Sequence, residues 1–200
     1  MKTKIITLIT ILTVVLGISN LTYAAGKNEA VVTTLTNVSA INKIEVHGNV
    51  ELFISDGNAD QVKVYNKYYS ESALVQSTKG VLRITSYTTE KLVVWVTAND
   101  LRSVSAYDNS EIRSFGDISK IEFSVDLHNN ASAKLNLDAY SAIVTVNDSA
   151  KADLTGNATL FSLNHSYAAS VNKFNFNAVH YTENKDNFKA EAKNEDVAGI

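Results

Sequence analysis

The sequence predicts an all-β chain, folded as a single-domain parallel β-helix-like solenoid with repeats of about 17–22 residues. The main observation is a recurring phrase: an Asn or Asp, any residue, a Ser, and an apolar residue five positions after the Ser. The last three copies follow one another at a constant 17-residue step, and the first precedes the second by 22. Short segments of alternating apolar and polar residues accompany the copies, whereas helical spacing is missing. The copies are Asp108/Ser110/Phe115, Asn130/Ser132/Leu137, Asn147/Ser149/Leu154 and Asn164/Ser166/Val171.

The polar residues of the phrase predict the corners of the solenoid. Asn, Asp and Ser side chains hydrogen-bond to nearby backbone, and Asn and Asp tolerate left-handed dihedral angles. The apolar residue of each copy is expected to point inward. Leu127, Val144 and Phe161 follow one another at the same step, which predicts an apolar column beside the corners. A polar ligand-binding ladder along one side of the molecule is the alternative interpretation.

Length and composition indicate one domain and limit the classes of partner. The 200 residues carry 18 Lys and Arg against 21 Asp and Glu, a net charge of -3. Without a basic excess to neutralise phosphates, nucleic acid is not predicted as a partner. The chain contains no Cys, which excludes disulfides, thiolate metal sites and a Cys nucleophile.

Residues 1–24 have the pattern of a secretory signal peptide. Lys2 and Lys4 precede an apolar stretch at 5–18, and Thr22-Tyr23-Ala24 predicts cleavage before Ala25. The stretch is short for a membrane span, so no span is expected in the mature chain. Removal of the two Lys leaves 16 basic against 21 acidic residues, a net charge of -5. The pattern predicts an exported bacterial protein, located in the periplasm, at the cell surface or outside the cell.

The remaining chain divides into a leader, a β domain and a tail. Residues 25–40 are polar and Thr-rich, which predicts a flexible leader. Residues 41–188 form the predicted solenoid, with a polar connection at 66–73. Residues 189–200 are charged and aperiodic, which predicts a tail. Apolar alternation or turn dipeptides predict strands at Ile44–Val46, Val50–Ile54, Val62–Val64, Leu74–Val75, Val81–Ile84, Leu92–Val96 and Phe174–Phe176.

Two details of these strands bear on function. The run Leu92–Val96 is apolar at five consecutive positions, which predicts a strand covered on both faces. Trp95, the only Trp, is expected in a packed core or cap, with an exposed carbohydrate platform as the alternative. A degraded fifth copy of the phrase, Tyr181/Glu183/Phe188, predicts the terminal turn, because an end repeat has a neighbour on one side only.

The chain resembles the putative auto-transporter adhesin head GIN domain family from about Ile41 to Phe188. The resemblance lies in Ile44–Leu52, Val62-Lys63-Val64, Gly80–Ile84 and the strand that ends at Val96. Asn99-Asp100 stand where the family often has a Pro, and the turns here are rich in Asn, Asp and Ser rather than Gly. The resemblance implies an exported β-helix-like solenoid, and it implies no catalytic residues.

A search for reactive constellations identifies no catalytic, cofactor-binding or metal-binding residue, and no ligand-binding residue can be named. None of the common nucleophile, phosphate, dinucleotide or zinc motifs is present. With a 17-residue repeat, His128 and His165 fall in different columns, which argues against a shared metal. Asp148 and His165 would share a column, as an exposed ion pair or as the core of an acid–base site. The only Arg residues, at 83, 102 and 113, lie outside the regular repeats.

These features predict a non-enzymatic module that binds a surface macromolecule, with a glycan or a cell-surface protein as partner and no cofactor. Solenoids present long faces of repeated side chains to extended partners. A polysaccharide-active β-helix enzyme and a structural envelope component are the alternatives. The sequence decides neither the ligand, the oligomeric state nor the handedness. Tyr side chains that would supply aromatic contacts, although they do not share a column, are Tyr107, Tyr140, Tyr167 and Tyr181.

Overall fold

The computed structural model describes residues 32–35, 38, 40–65 and 72–186. The chain is all-β, as predicted, and its strands form a single 13-stranded sheet. None of the described residues forms a helix long and apolar enough to cross a membrane. The strands are β1 (Val32–Leu35), β2 (Lys43–His47), β3 (Val50–Asp56), β4 (Gln61–Tyr65), β5 (Ala73–Thr78), β6 (Val81–Ser86), β7 (Leu92–Ala98), β8 (Ser103–Ala106), β9 (Glu111–Ser114), β10 (Ile118–Leu127), β11 (Ser132–Val146), β12 (Lys151–Ser166) and β13 (Ser170–Asp186).

The sheet is open and curls around one apolar core. Half A contains β1, β4, β7, β3 and β9 in spatial order, and half B contains β5, β6, β2, β8 and β10. Strands β11, β12 and β13 are long enough to belong to both halves: β11 pairs with β9 through residues 132–134 and with β10 through residues 137–146. Inward side chains of the two halves meet, as the ring centroids of Phe161 and Phe176 show at 4.6 Å.

A uniform parallel β-helix is not what the sheet shows. The first half of the chain includes antiparallel pairs, β1 with β4, β4 with β7, and β5 with β6. Spatial order also differs from chain order, because β2 and β3 lie between β6–β7 on one side and β8–β9 on the other. From β8 to β13, however, all pairs are parallel and follow chain order. The regular part of the predicted repeat is therefore confined to the second half.

The predicted 17-residue interval is wrong, although the spacings found lie inside the predicted range. Ser103 pairs with Ser124, which gives a 21-residue coil, and Ile118 pairs with Leu137, which gives a 19-residue coil. The pairs between β11 and β12 have the same 19-residue interval, as Ser132 with Lys151 shows. The numbers 17 and 19 differ by two, which is the period of a strand, so the predicted inward face is correct while the predicted partners are not.

The predicted column shows this shift directly. Leu127, Val144 and Phe161 are all buried, as expected. Leu127 nevertheless pairs with Val146, and Val144 pairs with Leu163. Full burial of such an aliphatic side chain stabilises the fold by about 1.5–3 kcal/mol. The core therefore depends on alternation within each strand, which the sequence contains, more than on the interval between strands.

Of the apolar residues predicted to point inward in the four copies, two are fully buried. Leu137 and Leu154 are in the core, and Val171 is half-buried. Phe115 is 64% exposed, contrary to the prediction. The reason is local: β9 ends at Ser114, and Gly116 turns the chain with φ of 81° before β10 begins.

Part of the predicted leader is ordered. Residues Val32–Leu35 form β1 and pair antiparallel with β4, so the expectation of a flexible segment at 25–40 is wrong at these positions. The predicted signal peptide at 1–24, the tail at 189–200 and most of the polar connection, at 66–71, lie outside the described residues.

Candidate functional site

The corners between half B and half A form a hydrogen-bonded ladder. Gly48, Asp108, Asn129 and Asp148 occupy successive corners with φ between 52° and 82°, a region that Gly, Asn and Asp tolerate best. The side chains of Asp108, Asn129 and Asp148 each accept a hydrogen bond from the backbone N–H of the preceding corner residue. Asp108 Oδ2 lies 2.9 Å from Gly48 N, Asn129 Oδ1 lies 3.1 Å from Asp108 N, and Asp148 Oδ2 lies 2.8 Å from Asn129 N. The ladder closes the turns, which is a structural role.

The predicted corner chemistry is present, but only Asp108 of the predicted phrase occupies the left-handed position. Asn130 and Asn147 flank the corner residues, and Asn164 lies within β12. The fold instead repeats a small buried residue two positions after the corner. Ser110 is its first member, and its hydroxyl donates to the Tyr107 carbonyl at 2.6 Å. The equivalent residues, the buried Ala131 and Ala150 and the partly buried Ala169, close their turns with backbone hydrogen bonds alone.

Asp148 and His165 do not form the predicted pair. His165 pairs in register with Val146, while Asp148 sits at the corner beyond. The Nε2 atom of His165 lies 2.8 Å from Glu183 Oε1 instead. The coil that is longer than predicted explains why these two residues do not share a column.

His47 and His128 do share a column, which the 17-residue interval did not predict. His47, Tyr107 and His128 stack at the ends of the neighbouring strands β2, β8 and β10, with ring centroids 4.4 and 4.7 Å apart and planes 2° and 8° from parallel. His128 Nε2 lies 2.9 Å from Asp126 Oδ2. Unequal intervals along the chain hid this column, since β8 follows β2 in space but not in the chain. Nowhere in the described part of the chain do three or more metal-ligating residues gather into a site.

The outward side of half A carries an aromatic cluster. Trp95 stacks on Phe53, with centroids 4.7 Å apart and planes 21° from parallel. Tyr65 and Phe115 flank the indole with centroids at 6.5 and 5.3 Å. We call Phe53, Tyr65, Trp95 and Phe115 the aromatic face. Phe115 is the most exposed member, and the other three are half-buried.

Strand alternation places these rings outside. In β7, Leu92, Val94 and Val96 fill the core, which turns Val93 and Trp95 outward. The expectation of a packed core position for Trp95 is therefore wrong, as is that of a strand buried on both faces. The sequence contained one usable signal: Phe53 is the fourth residue of the predicted strand Val50–Ile54 and Trp95 the fourth of Leu92–Val96, and the two pair in register.

Charged side chains border the aromatic face. Arg113 Nε lies 3.2 Å from Glu51 Oε1, and its Nη2 donates to Glu111 Oε1. Lys91 Nζ lies 3.4 Å from Glu111 Oε2. Both carboxylates are thus engaged by cations. Lys63 pairs directly across from Trp95 between β4 and β7.

The Tyr residues named from the sequence do not gather on one face. Tyr107 lies in the His stack, Tyr140 is exposed within β11, and Tyr167 is exposed just after β12. Tyr181 belongs to a polar cluster at the end of the sheet, together with Lys173, Glu183 and His165. The prediction of aromatic contacts from these four residues is not supported, and the aromatic face replaces them.

The polar cluster closes the end of the core, where the degraded repeat was predicted. The Tyr181 hydroxyl, the His165 imidazole and the Lys173 ammonium all hydrogen-bond to the Glu183 carboxylate, and they lower the pKa of Glu183 to about 2. Burial raises the pKa of the Tyr181 phenol, as does its hydrogen bond to Glu183. Beneath them, Phe161 is buried. Because the four groups satisfy one another, the cluster acts as a cap over the last apolar layer.

Comparison with known proteins assigns the family. The model of a family described as "Putative auto-transporter adhesin, head GIN domain" matches residues 40–185. The chain belongs to this family. No curated protein matches this head GIN domain. Among solved structures it resembles a putative adhesin from Parabacteroides distasonis at 15% identity, with a TM-score of 0.57 and coverage of 78% of this chain and 79% of that one.

Two further solved structures share the fold of the head GIN domain. A putative adhesin from Parabacteroides merdae is 12% identical, with a TM-score of 0.57 and coverage of 78% of this chain and 77% of that one. A putative lipid binding protein from Parabacteroides distasonis is 10% identical, with a TM-score of 0.56 and coverage of 78% of both chains. At such identities the likeness shows the fold alone.

Proposed function

We propose that this chain is an exported, non-enzymatic, adhesin-like module that binds a surface glycan through the aromatic face. The observation that carries the proposal is the outward stack of Trp95 on Phe53. Trp95 does not contribute to the core, and a partly exposed cluster of large aromatic rings on the outward side of a sheet is typical of an interaction surface. Flat aromatic rings on a rigid sheet suit the apolar ring faces of sugars, whose C–H groups approach the electron-rich aromatic face.

The architecture and the route of export belong to the same proposal. The strand pairs from Ser103 to Asp186 stack as a two-sided solenoid, supported by the parallel register and by the corner ladder. The domain runs over 41–188, behind a signal peptide at 1–24 that directs the chain to the periplasm, the cell surface or the medium. The family to which the chain belongs, described as adhesin heads, supports an exported location.

An enzyme that cleaves polysaccharides is the second function considered from the sequence. Such an enzyme needs a carboxylic acid and a carboxylate free to act on the glycosidic bond. Beside the aromatic face, Glu51 and Glu111 already form ion pairs with Arg113 and Lys91. The site therefore supports recognition without cleavage.

A glycan-array screen of residues 25–200 tests the proposal. We expect binding that Trp95→Ala weakens by about tenfold or more, because loss of a central aromatic contact has the largest effect in most binding sites. Tyr140→Ala is the matched control, since Tyr140 is an exposed aromatic residue distant from the face in sequence. Release of reducing ends from a bound glycan would contradict the non-enzymatic assignment. Binding to proteins or to lipid vesicles alone, or to nothing, would contradict the glycan assignment.

A further inference from the structure

The central ring pair of the aromatic face belongs to a longer row of outward side chains that crosses half A perpendicular to the strands. The pairing registers join Lys63 to Trp95, Trp95 to Phe53, Phe53 to Arg113, and Arg113 to Lys134. Neighbouring strands are about 4.8 Å apart, so Lys63 and Arg113 stand roughly 14 Å from each other with two stacked rings between them. We call these five residues the cationic–aromatic row.

The charge of the row differs from that of the whole chain. The chain carries a net charge of -3, whereas the row contains three cations and no carboxylate. The first acidic residue met along it is Asp153, beyond Lys134. Glu51 and Glu111 lie in a different row, two positions earlier in their strands. Because Arg113 is paired with these two carboxylates, the positive charge of the row lies mainly at its two ends, on Lys63 and Lys134.

Two cations of the row, Lys63 and Lys134, are available to contact an added anion. Lys63 has no ion pair within the described part of the chain. Lys134 is 69% exposed at its side chain, and its Nζ lies 3.9 Å from Asp153 Oδ2, at the limit of an ion pair. Arg113 differs from these two cations, because its buried Nε lies 3.2 Å from Glu51 and its Nη2 donates to Glu111. Its charge is offset within the protein, which leaves the anion contacts to Lys63 and Lys134.

From this arrangement we propose that the glycan is a carboxylated polysaccharide, which lies across the strands of half A. Its sugar rings stack on Trp95 and Phe53, and its carboxylates contact Lys63 on one side and Lys134 on the other. The inference rests on the proposed function, because it names the ligand class of the same site.

The test uses one polymer in two forms: polygalacturonate and its carboxyl-reduced, neutral derivative. Calorimetry on the exported chain is expected to show tighter binding of the acidic form, by about tenfold, and an affinity that falls as sodium chloride is added. Lys63→Gln and Lys134→Gln should each weaken binding of the acidic form by about two- to fivefold. Lys185→Gln, which makes the same change of charge on half B, should leave it unchanged.

The outcomes separate this inference from the proposed function. Equal affinity for the two forms, with binding still lost in Trp95→Ala, would overturn the carboxylated class and leave a glycan site. Tighter binding of dextran sulfate than of polygalacturonate would overturn it in favour of sulfated ligands. Failure of both forms to bind, or binding that Trp95→Ala does not alter, would overturn the aromatic face as the site. Circular dichroism of the Gln variants confirms that each remains folded.

Discussion

Gly156 is the position at which a single methyl group should be most damaging. It lies in β12, paired in register with Leu137 of β11, and its φ is 102°. A Cβ atom there would stand 2.1 Å from the Leu137 carbonyl oxygen and 2.8 Å from Asn136 Oδ1. The first contact is with backbone that is itself part of the parallel ladder, so the neighbouring strand must move.

Two costs add in Gly156→Ala. A left-handed dihedral angle costs an L-residue roughly 1–2 kcal/mol, and overpacking typically adds about 1–3 kcal/mol. The free energy of unfolding should therefore fall by roughly 2–5 kcal/mol. Gly116→Ala is the matched control, because its φ is 81° and a Cβ there would meet nothing within 4 Å. That variant should lose only the conformational part, roughly 1–2 kcal/mol.

Urea denaturation followed by circular dichroism measures both variants. The midpoints should shift while the slopes stay equal, because neither substitution changes the surface exposed on unfolding. In thermal unfolding, each kcal/mol corresponds to about 2–4 °C for a chain of this size. If Gly156→Ala is no more destabilising than Gly116→Ala, the close approach at Leu137 does not constrain the fold, and the reasoning is wrong.

Three further predictions follow from the ladder, the cap and the core. Asp148→Ala should lower the free energy of unfolding by roughly 2 kcal/mol, whereas Asp148→Asn, which keeps an acceptor for Asn129 N–H and tolerates φ of 52°, should lie within about 0.5 kcal/mol of wild type in urea titrations. The pKa of Glu183 falls from 4.5 to about 2 on folding, so its stabilising contribution is full above pH 4.5 and is lost as the pH drops toward 2. In Glu183→Gln the melting temperature should therefore depend less on pH between 4.5 and 2. A pH dependence equal to that of the wild type would contradict the role of the cap. Phe161→Ala should cost about 3–5 kcal/mol by calorimetry, since Phe161 is buried beneath Phe176 and Tyr181, and a loss below about 1 kcal/mol would show that the last layer is loosely packed.

The sequence predicts the inward faces better than it predicts the partners. Alternation within a strand is local, so Leu127 and Val144 are recognised as core residues whatever the repeat length is. Which residues pair between neighbouring strands depends on the number of residues in each coil. Polar residues near a corner locate the corner only to within one or two positions, so they do not give that number. Asn130 and Asn147 resemble corner residues in composition, while Asn129 and Asp148 have the left-handed dihedral angle. Both sets are followed two positions later by a small residue, Ser132 and Ser149 in the first and Ala131 and Ala150 in the second, so composition alone does not choose between them.

The candidate site could not be predicted from the sequence, for a different reason. The cationic–aromatic row draws its members from β4, β7, β3, β9 and β11, an order that the chain does not follow. Lys63 and Trp95 meet through an antiparallel pair, and Phe53 meets Arg113 across strands that are far apart in the sequence. No periodic search joins such positions. Only the equivalence of Phe53 and Trp95 within two similar apolar runs was visible beforehand.

The place of β2 and β3 in the middle of the sheet determines how the molecule is assembled. They are among the earliest strands to leave the ribosome, yet they have neighbours on both sides: β6 and β7 on one, β8 and β9 on the other. The sheet therefore extends in two directions from β2 and β3, whereas β1, which precedes them in the chain, lies at its edge. A chain shortened from its C-terminal end loses outer layers one at a time and keeps a continuous interior. Deletion of residues 43–56 would remove β2 and β3 and so separate β6 and β7 from β8 and β9. The continuity of the sheet therefore depends on this short segment.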